Sequence, residues 1–232
     1  MTPPQMAPGT TDVFFDFLCP YAWRGVELAE ALREPDTSFR LRHFSLVQGN
    51  HPGNAGQAEP RWWLTDQPIG EGSHAQQASL RAFLAAGAAA RQGEERSWAF
   101  TLDLLRAVHE HKKPLDEDTV QAAARAAGLD AGQFAADRAD ECGLRARLRT
   151  DLVEAAGIGV FGTPTFVSPE GSAAYYRFEN LTRDPATARQ WWTLYGEVLR
   201  SGAGIATVKR ARHRPAHKTD QPAPPFLAGQ PA

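Results

Sequence analysis

Two cysteines occur in this chain of 232 residues, and the setting of one of them suggests covalent chemistry. Cys19 follows directly on Asp12-Val13-Phe14-Phe15-Asp16-Phe17-Leu18 and precedes Pro20-Tyr21-Ala22-Trp23-Arg24-Gly25-Val26-Glu27-Leu28-Ala29-Glu30-Ala31-Leu32. The first run is short, aromatic and β-branched, which suits a central strand covered on both faces. The second reads as a helix with proline at an early position, where a missing N–H is harmless. Cys19 is therefore expected at a strand-to-helix junction, facing unpaired N–H groups and the positive end of a helix dipole. Both favour the thiolate, the nucleophilic form, and such cysteines can ionise well below the free-thiol value of about 8.5. Position alone leaves a second reading open, in which Cys19 is an inert buried hydrophobe. A further feature is Gly159-Val160-Phe161-Gly162-Thr163-Pro164-Thr165-Phe166-Val167, with a proline just before a strand. There a cis bond can make a tight bend, or a plain trans proline can start the strand.

The elements that must position these residues read as follows. Phe39 to Leu46 alternates apolar and polar residues, the pattern of a second strand. Glu34-Pro35-Asp36 separates it from the helix. From Gln48 to Gly72 the chain is rich in Gly, Pro, Asn and Gln, with Trp62 and Trp63 embedded, and predicts a long irregular connection. The tryptophan pair could line a pocket beside Cys19 or cover apolar surface. Helices are expected at about 73–91, 94–111, 116–127 and 131–157, on Ala-rich composition and spacings such as Phe100, Leu104, Leu105 and Val108. Strand patterns return at Thr165 to Ser168 and Tyr175 to Phe178, across the Pro169-Glu170-Gly171 turn, and a closing helix is expected over 184–201. Strands before and after the helical block make it an insertion within one α/β unit. The expected layout is one domain from 12–48 and 158–203, an inserted loop and helical domain over 49–157, and a disordered basic, Pro-rich tail at 204–232.

Composition limits the function classes. The chain is 42% hydrophobic and 22% charged with a formal net charge of -2, an ordinary globular profile that implies no partner class. The start of the chain lacks the basic and apolar regions of a signal peptide, so a cytoplasmic protein is expected, and no apolar run approaches the roughly 20 residues of a membrane span. The tail's Lys209, Arg210, Arg212, Arg214 and Lys218 read as a solvated terminus, without the aromatic interleaving of a nucleic-acid site. His109-Glu110-His111 reads as helix surface and no metal is expected, since neighbours two apart do not share a helix face. Cys142 lies on the helical block, where a buried structural thiol is the expectation. Arg24, one turn beyond Cys19, either steers an anionic thiol by its charge or is an ordinary exposed helix arginine.

Residues 16–23, Asp-Phe-Leu-Cys-Pro-Tyr-Ala-Trp, resemble the active-site strand and helix start of the DsbA-like and FrnE-like thiol oxidoreductases. Gly162-Thr163-Pro164-Thr165-Phe166 resembles their cis-proline loop, and Pro114-Leu115-Asp116, Ala127-Gly128-Leu129-Asp130 and Phe134 are similar to their helical insertion. The resemblance covers about 12–200. It implies an α/β thioredoxin-like fold with an inserted all-helical domain, and an enzyme in which Cys19 is the nucleophile that forms a mixed disulfide. Pro20, Tyr21, Trp23, Arg24, Thr163 and Pro164 would contact substrate. The usual CxxC here reads Cys19-Pro20-Tyr21-Ala22, and alanine cannot resolve a mixed disulfide. An external thiol, a second protein or Cys142 would have to do so, and no tightly bound cofactor is implied beyond a small thiol such as glutathione or a bacterial equivalent. The partners implied are that thiol and disulfide-containing peptides or proteins. The run Pro20 to Gly25 also resembles kappa-class glutathione transferases and 2-hydroxychromene-2-carboxylate isomerases, with Cys19 where a serine activates a bound thiol. A non-catalytic member that keeps only the fold is the third reading.

Overall fold

A computed structural model describes residues 9–33, 37–200 and 202–205. The turn expected at Glu34-Pro35-Asp36 and the basic tail beyond Ile205 lie outside the described residues. Strand β1 (Thr10–Phe15) pairs in parallel with β2 (Ser38–His43) and antiparallel with β3 (Thr165–Val167), which in turn pairs with β4 (Ala173–Tyr175). The order β2-β1-β3-β4 places β1 inside the sheet. Its alternating side chains serve two faces. Val13 and Phe15 enter the main core with Val26 and Phe166, whereas Phe14 packs on the other face with Phe44 and Ala155. That double burial is why Val13, Phe14 and Phe15 are apolar in succession rather than alternating with polar residues.

Helix α1 (Pro20–Leu32) connects β1 to β2, a four-residue helix α2 (Leu46–Gly49) follows, and α8 (Pro185–Arg200) closes the described fold. Between α2 and β3 come α3 (His74–Ala90), α4 (Glu94–His109), α5 (Glu117–Ala126), α6 (Ala131–Ala139) and α7 (Glu141–Ile158). The β-α-β start and the β-β-α finish around a helical block form a thioredoxin-like fold, as the resemblance implied. Helix α4 packs on α1 and α7 packs on β2, so a continuous core runs from the sheet into the helices.

Two boundaries differ from the sequence reading. The stretch expected as a single helix over 131–157 is two, because Asp140 leaves helical geometry (φ -80, ψ 62) and its carboxylate caps α7 through the Gly143 N–H at 3.1 Å. The last strand comes earlier than Tyr175 to Phe178, at Ala173–Tyr175.

The long connection is ordered by Asn54, which donates to the carbonyls of Gln48 and Trp62 and accepts from the N–H groups of Arg61 and Trp62. Trp62 stacks on His51 at 4.0 Å, and Trp63 lies under the Arg149 guanidinium at 3.7 Å. Both rings rest half-buried on the core, the covering role left open above. The sheet's second face is tied to α7 by ions. Asp151 accepts from Arg42 at 2.7 Å and meets His43 Nδ1 at 2.8 Å, and Glu154 holds the far side of Arg42. Burial opposes ionisation of Asp151, but His43 and Arg42 bring it down to about 2.

Candidate active site

Cys19 caps α1 in extended geometry (φ -98, ψ 115), and its Sγ accepts the Ala22 N–H at 3.4 Å. The same sulfur donates to the Thr163 carbonyl at 3.3 Å, across 144 positions of sequence. The Thr163–Pro164 bond is cis. The Pro164 ring packs against Gly25 so tightly that a Cβ there would lie 2.5 Å from Pro164 Cγ. Glycine in mid-helix is thus the residue that lets the loop reach α1. Cys19, Thr163 and Pro164 meet at one place, as the two motifs implied.

Ionisation is where the sequence expectation fails. Cys19 is only 6% exposed, and burial pushes its thiol above the ordinary value. The nearby Thr163 and the N–H groups of Ala22 and Tyr21 oppose the shift without overcoming it, and the charge of Asp16 adds to it. The helix terminus stabilises the thiolate locally, but removal from water outweighs it. The Thr163 hydroxyl is buried as well and has no hydrogen-bond partner among the described residues. Ala22, at the position of the second cysteine, is fully buried.

Asp16, which sequence reasoning left without a role, lies beneath the junction. Burial raises its carboxyl to about 6 against the hydrogen bonds it accepts from the Leu18 and Leu46 N–H groups, at 2.8 and 2.6 Å, and against the charge of His43.

The outer rim is aromatic and cationic. Pro20 is exposed, and Tyr21 is half-buried beside Arg24 at 5.3 Å and Arg177 at 3.8 Å from its ring centre. Arg177 also donates to the Tyr21 hydroxyl, and Arg24 donates to the Phe178 carbonyl at 3.1 Å. Tyr175 completes this side, its hydroxyl raised by burial and by the charges of Cys19 and Tyr21 while Arg177 opposes them. Phe161, 75% exposed, rests on the Tyr175 ring at 5.4 Å between centres.

Three further expectations need correction. Trp23 does not line the rim. It is buried, donates from its indole to Glu27 at 3.0 Å and stacks on His109, so it supports α1 from below. His109 is not plain helix surface, since its Nε2 contacts the Phe17 carbonyl at 2.8 Å, and burial lowers its pKa. Cys142 is exposed rather than buried, a free thiol at the start of α7. Glu27 itself is fully buried between Arg106 and Arg183, at 2.7 Å from each. No group of three metal-ligating side chains occurs among the described residues, and no helix among them is long and apolar enough to cross a membrane.

A family model, the DSBA-like thioredoxin domain, matches residues 10–181. The chain belongs to that family. No curated protein matches it significantly by sequence. Solved structures similar to this DSBA-like chain include the cytosolic disulfide reductase DsbM from Pseudomonas aeruginosa with GSH, at TM-score 0.54 and 20% identity, covering 82% of this chain and 100% of that one. A probable DsbA oxidoreductase from Streptomyces coelicolor has TM-score 0.53 and 19% identity, covering 93% of this chain and 99% of the other. A 2-hydroxychromene-2-carboxylate isomerase has TM-score 0.56 and 15% identity, over 86% of this chain and 100% of the other. At these identities the likeness is one of fold.

Gly25, Asp16, Tyr175 and Arg177 were missed by sequence reasoning. A glycine inside a strongly helical run was the available signal for Gly25. Arg177 had none, because its partner Tyr21 is 156 positions away.

Proposed function

We propose that this DSBA-like protein exchanges disulfides through Cys19 alone, with a small external thiol as second participant. The observation that carries this is the sulfur at the cap of α1, 3.3 Å from the carbonyl of the Thr163–Pro164 loop. Ionised Cys19 attacks one sulfur of a disulfide R–S–S–R′. The Cys19–S–R bond forms as the S–S bond breaks, and R′S⁻ leaves and takes up a proton from water. A second thiolate then attacks the R sulfur, forms the new disulfide and returns Cys19 as thiolate. Thr163 and Pro164 flank the attacking sulfur, while Pro20, Tyr21 and Arg24 present the surface a substrate meets first. Ala22 offers no thiol, so resolution comes from outside the motif. A cytoplasmic setting, with its reduced thiol pool, suits that chemistry, and the glutathione present with the DsbM structure supports such a co-substrate.

The raised pKa sets the terms. At neutral pH Cys19 is mostly thiol, so exchange is slow and accelerates as pH rises. The test is intact mass after exposure to oxidised glutathione at about pH 9, near the range where a thiol of ordinary or raised pKa ionises. One glutathione adduct on Cys19, lost in Cys19→Ser, is expected. An adduct confined to Cys142 overturns the reading.

One observation favours a second reading. Cys19 is a neutral donor to the Thr163 carbonyl, and a neutral thiol can donate to a bound thiolate as a serine hydroxyl would. In that case Cys19→Ser retains the addition of glutathione to a small electrophile, whereas the exchange reading predicts loss of all Cys19-dependent chemistry.

A further inference from the structure

We propose that Arg24 and Arg177, both held against the ring of Tyr21, form a carboxylate-binding clamp that selects acidic low-molecular-weight thiols and disulfides for Cys19. The proposal deepens the exchange reading above and rests on it for the role of Cys19.

Nine guanidiniums of the described residues are neutralised. Arg33, Arg40, Arg42, Arg91, Arg106, Arg138, Arg145, Arg149 and Arg183 each meet a carboxylate. Arg24 and Arg177 differ. Their ring contacts are to Tyr21, and their polar partners are the Phe178 carbonyl and the Tyr21 hydroxyl, none of which is a carboxylate. Two like charges held on one ring, with no carboxylate partner among the described residues, raise a positive potential at that point of the surface.

Both groups are also pinned. Arg24 spends one donor on a backbone carbonyl and Arg177 one on the tyrosine hydroxyl, which leaves most of each guanidinium's five N–H donors for a ligand. A planar guanidinium held in place suits bidentate recognition of a carboxylate and loses little side-chain entropy on binding. The location assigns the ligand's other end. Tyr21 sits in the first turn of α1, two residues beyond Cys19, whose Sγ caps that same turn through the Ala22 N–H. A molecule with a carboxylate on the clamp therefore has its sulfur within reach of Cys19 only if it is small. A short peptide thiol with free carboxylates fits; a neutral or cationic disulfide gains nothing from the pair.

Calorimetric titration with S-methylglutathione tests the clamp without any reactive thiol. The wild-type chain is expected to bind it, more weakly as salt screens the charges. Arg24→Gln and Arg177→Gln should each weaken binding by about three- to tenfold, the range for a partly exposed charge-assisted contact, and the double variant should lose it. The dimethyl ester, probed on the wild-type chain, should bind no better than the acid binds the double variant, which keeps the test valid if a variant folds poorly. Absence of wild-type binding, an unchanged affinity in the double variant, or equal binding of acid and ester each overturns the proposal. Adduct formation from oxidised glutathione, measured in parallel, separates the two readings. Charge-dependent binding without a Cys19 adduct removes the exchange reading and leaves the clamp; an adduct with no charge-dependent binding does the reverse.

Discussion

Gly25→Ala is the perturbation that asks most directly whether the proline loop and α1 are as closely seated as described. In an ordinary helix interior this change stabilises by about 1 kcal/mol, because alanine has the higher helix propensity. Here the new methyl would lie 2.5 Å from Pro164 Cγ and 2.7 Å from Pro164 Cβ. Carbon atoms rest at about 3.5–4.0 Å, so something must yield by roughly 1 Å. The obstacle is a closed ring on a buried loop and has no flexible end to swing away. Overpacking of this kind costs about 1–3 kcal/mol, which exceeds the propensity gain. The expected net is a destabilisation of up to about 2 kcal/mol. Gly157→Ala in α7 is the matched control, since its Cβ meets open space and should stabilise by about 0.5–1 kcal/mol. Urea unfolding with unchanged slope gives both numbers. A Gly25→Ala midpoint at or above the wild-type value would refute the reasoning.

Other outcomes follow from the same structure. In a pH series of alkylation followed by mass, exposed Cys142 should be modified faster than buried Cys19; the Cys19 rate should still be climbing past about pH 8.5, and a plateau near pH 6 would contradict the burial argument. Glu27 falls from its ordinary 4.5 to about 2 because hydrogen bonds from Arg106 and Arg183 overcome the opposing effect of burial. Its contribution, on the order of 3 kcal/mol, is therefore present above pH 4.5 and lost as pH falls toward 2. The gap in urea midpoint between wild type and Glu27→Gln should be large at pH 7 and narrower at pH 3.5. Asp16→Asn removes a negative charge that raises the Cys19 pKa, so Cys19 alkylation at pH 8 should quicken by a few-fold; a slower rate in a folded variant would show that Asp16 acts otherwise. Asp140→Ala removes the cap of α7 and one of the two carboxylate partners of Arg91 among the described residues, for an expected loss of about 1 kcal/mol in chemical unfolding.

Much of the architecture is local and could be read directly. Val13, Phe14 and Phe15 are apolar in succession because both faces of β1 are covered, and Pro20 marks where α1 begins. Where propensity was uniform the reading blurred: Ala-rich helices gave no contrast at Asp140, whose capping role depends on one carboxylate turning back to Gly143. The long connection looked irregular because its order comes from individual side chains such as Asn54, Gln48 and Arg145 binding its backbone, rather than from a periodic pattern.

The sequence by itself determined that Cys19 would cap the helix that follows the first strand, because strand pattern, proline position and capping geometry act within a turn of the chain. Only the tertiary structure decided the state of that sulfur. Its ionisation depends on how much water the assembled fold removes, and the Thr163 carbonyl that covers it arrives from 144 positions away. The same holds for Trp23, drawn inward by Glu27 and His109, and for Arg177, brought to Tyr21 across 156 positions. Desolvation and charge pairing sum over everything the chain brings near, so no local pattern of residues encodes them.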